Sequence, residues 1–155
     1  MLERPLENWD YEFILDLVKT HDFEPGRFDF KEALVGTGSS DYARDLMHSI
    51  IKTACGMANA GGGYLIVGVQ DNKKSAGRSP AERCIGIPLK GDHAKVLGDR
   101  LAKIQPEVHF VTSNAIPIPG KPDRCLFVAH VPESPSRPHM FESVFHLRGP
   151  GGSSE

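Results

Sequence analysis

The chain lacks the patterns that mark secreted, membrane-spanning or metal-stapled proteins. It has three cysteines, Cys55, Cys84 and Cys125, an odd number set far apart. That spacing makes no disulfide frame and fits reduced thiols in a reducing, cytoplasmic compartment. No Cys-x-x-Cys and no His-x-x-x-His occurs, which argues against a structural zinc site. The longest apolar run, Tyr64 to Val69, is far too short to cross a bilayer. No basic region followed by an apolar stretch opens the chain, so no secretory signal is read there. A Gly-x-Ser-x-Gly elbow is also missing, against a serine hydrolase. Neither sign of charge dominates, since the formal net charge is -2. That total does not advertise a nucleic-acid binder, but it says nothing about clustering.

What remains is an ordinary soluble composition, 39% hydrophobic and 25% charged over 155 residues. It fits one domain, 1–155, with its own core. Residues 10–19 read as a first helix, with Phe13, Ile14 and Leu17 at helical spacing. Pro25-Gly26 turns the chain. Residues 27–33 alternate, so Phe28 and Phe30 point one way and Arg27, Asp29 and Lys31 the other.

The strongest helical pattern covers 41–58. Ala43, Leu46, Met47, Ile50, Ala54, Met57 and Ala58 form one apolar stripe. The run Gly61-Gly62-Gly63 ends that helix. Residues 64–69 then read as a strand buried on both faces. A polar loop is expected over 72–83, a short strand over 84–88 and a helix over 92–104 capped by Asp92. Pro106 stops that helix. Two long strands follow, over 107–117 and 124–131, with a hairpin-like connection at 118–123. A last strand is expected near 143–148, and the glycine-rich end 149–155 is expected to be mobile. This order predicts an α+β or mixed α/β fold, a mixed sheet packed with helices.

Three acids stand out. Asp29 is on the polar side of a strand, and Asp71 falls just past the end of another, where open sheets place their sites. Glu24 precedes the first strand. Carboxylates gathered at one sheet edge suit Mg²⁺ or Mn²⁺, which prefer oxygen ligands and activate water against a phosphate. Lys31, on the face of Asp29, would steady the same phosphate. Spacing alone leaves a second reading open, the mixed charges of a solvated strand face. Arg27, Lys31, Lys73, Lys74, Arg78, Arg137 and Arg148 are candidates for a phosphate-binding face, or scattered solubilising charges. Lys73, Lys74 and Arg78 are the tightest group among them. The glycine run is no phosphate cradle, because the helix precedes the glycines rather than following them.

Taken together, Glu24, Asp29-Phe30-Lys31, Ala58-Asn59-Ala60-Gly61-Gly62 and Gly68-Val69-Gln70-Asp71 resemble the Schlafen AlbA-like domain. The Pro106 helix exit, Val128 to Pro132, Arg137-Pro138 and Leu147-Arg148-Gly149 follow the same layout. The resemblance covers about residues 20–152. It implies an α/β fold that binds DNA or RNA, in many members as part of a regulator. In vertebrate Schlafens two such lobes form an RNA-binding cradle, so a lone domain is expected to form a homodimer. Some members cleave tRNA-like substrates with three carboxylates, and Glu24, Asp29 and Asp71 match those positions by motif. The chain departs from the usual pattern in carrying Asp29, not Glu, before Phe30-Lys31. The expected function is nucleic-acid binding. The alternatives are a metal-dependent endoribonuclease and a protein-interaction or dimerisation module.

Overall fold

A computed structural model describes residues 4–20, 28–35, 40–71, 77–142, 144–149 and 152–154. A 3-10 turn, Leu6–Asn8, leads into α1 (Tyr11–Thr20), whose start is capped by Asp10 Oδ1 accepting the Phe13 N–H at 2.9 Å. Then come β1 (Phe28–Lys31), α2 (Ser40–Asn59), β2 (Gly63–Val67), α3 (Pro80–Arg83) and β3 (Ile87–Pro88). α4 (His93–Leu101) begins on Asp92, which caps it as the sequence predicts. After it come β4 (Ile104–Gln105), β5 (Val111–Thr112), β6 (Ile116–Ile118) and β7 (Lys121–Val131). The chain closes with β8 (Met140–Phe141), β9 (Val144–Phe145), β10 (Leu147–Gly149) and β11 (Gly152–Ser154).

The fold is α+β. β7 is the hub of the main sheet. Its C-terminal half pairs with β2 and β5, and its N-terminal half pairs with β3 and β6. β1 lies beside β2 in parallel, with Lys31 opposite Val67. Side chains alternate across β2, so it serves two cores at once. Leu65 and Val67 face Ile50, Ala54, Leu97 and Leu101 of α2 and α4. Tyr64 and Ile66 face Trp9, Ile14 and Leu17 on and before α1. Both faces of the sheet are therefore covered, as the unbroken apolar run of β2 requires.

α2 ends on a left-handed turn. Gly61 and Gly62 have φ of 88° and 79°, and the Gly62 N–H donates to the Met57 carbonyl at 2.7 Å. Asn59, buried at that end, fastens the distant C-terminal segment. Its Oδ1 accepts the His139 N–H at 2.7 Å, and its Nδ2 donates to the carbonyls of His139 at 3.0 Å and His146 at 2.7 Å. The asparagine of the Ala-Asn-x-Gly-Gly motif is thus a staple between α2 and the chain after β7.

Several elements differ from expectation. The polar loop over 72–83 contains α3, started by a capping box in which Ser79 and Glu82 bond reciprocally. The long strand expected over 107–117 is two short ones, β5 and β6, and exposed His109 belongs to neither. β8 was not anticipated. It pairs with β4 and β9 in a separate three-stranded sheet. The glycine-rich end, where no strand is expected, carries β11, which pairs antiparallel with β10. No described helix is long and apolar enough to cross a membrane.

Candidate nucleic-acid interface

Alternation along β1 decides where its charges go. Phe28 and Phe30 pack on the α1 side. Asp29 and Lys31 therefore point to the α2 side, where the helix covers them. The Lys31 side chain is only 12% exposed and that of Asp29 24%, so this is no freely solvated strand face. Lys31 Nζ lies 2.9 Å from Asp29 Oδ2 and donates to Ser49 Oγ on α2 at 2.6 Å. The ammonium is thereby held at one place between strand and helix.

β1 and β2 end side by side. The N–H of Gly68 donates to the Lys31 carbonyl at 2.7 Å, which brings the next residues of the chain over the end of β1. A cleft of about 220 Å³ opens there, lined by Lys31, Glu32, Tyr42, Asp45, Ser49 and Asp71. Lys31 and Asp71 thus line one cleft. Asp29 stands behind Lys31 as its ion partner.

A relay of hydrogen bonds leads outward from the cleft wall. Tyr42 Oη reaches Glu32 Oε2 at 3.4 Å, and Gln70 Nε2 donates to Glu32 Oε1 at 3.0 Å. Arg78 Nη1 donates to Gln70 Oε1 at 2.8 Å. The exposed Arg78 is therefore tied, through Gln70, to the cleft wall. Buried Arg83 fixes the same stretch from below, with its Nε donating to the Gln70 carbonyl at 2.9 Å.

The remaining expected residues are placed differently. Glu24, Arg27, Lys73 and Lys74 lie outside the described residues. Arg137 pairs with Glu133, which sits beside Gly62 and Gly63 at the N-terminal end of β2. The cleft is at the other end of that strand, so Arg137 is not part of it. Arg148 is on β10, opposite Ser153. Among the described residues, no three His, Cys, Asp or Glu side chains are grouped to hold a metal ion. Asp29 and Asp71 alone do not make one, and Asp29 is ion-paired to the Lys31 ammonium.

Sequence reasoning did not pick out Glu32, Tyr42, Asp45, Ser49 or Gln70. A signal existed for three of them. Tyr42, Asp45, Leu46 and Ser49 recur at one helical face of α2. Leu46, expected in the core, is half-buried: it packs against the core and also lines the cleft.

A family model described as Schlafen, AlbA_2 matches residues 24–155. The chain belongs to the Schlafen AlbA_2 family. The match spans the residues of the cleft and of the Asn59 staple alike. Membership points to a nucleotide-related or nucleic-acid-binding domain. No curated protein matches the chain.

Proposed function

We propose that this domain binds a nucleic-acid strand across the cleft at the ends of β1 and β2. The observation that carries the reading is a Lys31 ammonium fixed in the cleft, with Arg78 tied through Gln70 to the cleft-lining Glu32, in a chain of this family. Cations positioned at a groove engage phosphates and set the register of the strand. Lys73 and Lys74 precede Arg78 in sequence and extend the same basic group. A regulatory role follows from the family resemblance, and a homodimer is the arrangement that would add a second lobe.

One feature supports the endoribonuclease reading instead. The cleft carries more carboxylates than cations, since Glu32, Asp45 and Asp71 all line it. Phosphates are repelled by such a lining unless positive charge is added. The described residues do not themselves fit a divalent ion, and the third expected ligand, Glu24, is outside them.

The test is binding of labelled RNA and DNA over a salt series, with and without Mn²⁺. Binding whose affinity falls with salt supports the reading, and Lys73→Ala with Lys74→Ala should flatten that dependence. Salt-insensitive or undetectable binding overturns it. Cleavage that appears with Mn²⁺ and vanishes in Asp71→Asn decides for the nuclease.

A further inference from the structure

A larger pocket of about 570 Å³ adjoins the cleft, and Glu32 and Tyr42 line both. Its volume is that of a small-ligand site. The floor is apolar, built by Leu34, Ile87 and Val96. Two rings, Tyr42 and His93, stand in the lining. Hydrogen-bonding groups surround them. Glu32, which accepts from Gln70, brings a carboxylate to the lining, and the Arg124 guanidinium is held there by donating to the Gly86 carbonyl at 2.9 Å. Lys90 and Asp92 complete the edge.

We propose that this pocket receives one unpaired nucleobase of the strand bound at the cleft. The inference rests on the binding reading above and names its substrate class, a strand with an unstacked base. A heterocycle needs an apolar slot for its faces and both donors and acceptors for its edge. This pocket has each. Aromatic and histidine rings are the usual partners of splayed-out bases. The shared residues fix the order, because a backbone crossing at Lys31 reaches the pocket past Glu32 and Tyr42. A duplex cannot fill the pocket without losing a pair, so the site selects single strands.

The experiment compares an end-labelled RNA single strand of roughly a dozen nucleotides with the same strand in duplex, by fluorescence anisotropy. Wild type should bind the single strand about tenfold more tightly, the order of one base–ring stack. Val96→Phe, which puts a bulky ring into the pocket, should bind duplex as wild type does and lose the single-strand preference. His93→Ala, which removes one ring, should lose part of it and serves if Val96→Phe fails a thermal-melting check of the fold. Equal affinity of wild type for both forms, or a preference untouched by either variant, overturns the pocket and leaves the binding reading standing. Absence of binding to either form overturns both. Nucleoside 5′-monophosphates form the last arm. If they bind wild type and not Val96→Phe while strand binding is unaltered, the pocket serves a free nucleotide and the proposal is overturned.

Discussion

Lys31 Nζ lies 2.9 Å from Asp29 Oδ2, on the same face of β1 and under the cover of α2. Partial burial makes the two charges depend on each other. Lys31→Met keeps the stem and leaves the carboxylate without this partner. It should cost about 1–2 kcal/mol in urea unfolding. Adding Asp29→Asn should recover much of that loss. A double variant no more stable than the single one would show that the pair is not coupled.

Asn59 makes three hydrogen bonds to residues 80 or more positions away. Asn59→Ala should destabilise by about 2–4 kcal/mol, because buried backbone groups of His139 and His146 each lose one of their hydrogen bonds. Limited proteolysis should then cut first within the segment after β7. Unchanged urea stability and an unchanged cleavage pattern would contradict the staple.

The glycines after α2 are not equivalent. A Cβ on Gly61 would meet nothing within 4 Å, whereas one on Gly62 would lie 2.8 Å from both Glu133 N and Val131 O. Both residues have positive φ. Gly61→Ala should therefore cost about 1 kcal/mol from backbone strain alone. Gly62→Ala adds the clash and should cost about 2–4 kcal/mol. Equal losses in thermal or urea unfolding would contradict this division.

His130 on β7 stacks on Tyr64, with ring centroids 4.5 Å apart. Burial lowers its pKa from the usual 6.5. The unfolded chain then takes up this proton more readily than the folded one, so stability falls as pH drops below about 6.5. His130→Phe keeps a stacked ring without the titration. It should lose less stability than wild type between neutral and mildly acid pH. A parallel loss in both proteins would remove His130 as a cause.

The elements that position the cleft were legible because each carries its own period. The stripe of α2, the alternation of β1 and the continuous apolar run of β2 fix the three layers and send Asp29 and Lys31 toward α2. The Ser79-Pro80-Ala81-Glu82 capping box was also present in the sequence, but a polar loop composition masks a one-turn helix. The long-range partners were not legible. Nothing local tells that Asn59 will hold His139, or that Gln70 will join Glu32 to Arg78. Leu46 shows the same limit, since a helical stripe gives the face of a residue and not whether it meets the core alone or borders a cleft as well. The charge total hid the cleft for a related reason, because its acids come from three separate segments.

The salt dependence of RNA affinity tests the central claim most directly. Wild type should bind a labelled single strand with an affinity that falls steeply as salt rises. Arg78→Ala combined with Lys31→Met should weaken binding at every sequence and flatten the logarithmic slope by about one unit for each phosphate no longer neutralised. A double variant with the affinity and slope of wild type, still folded, would contradict binding at the ends of β1 and β2.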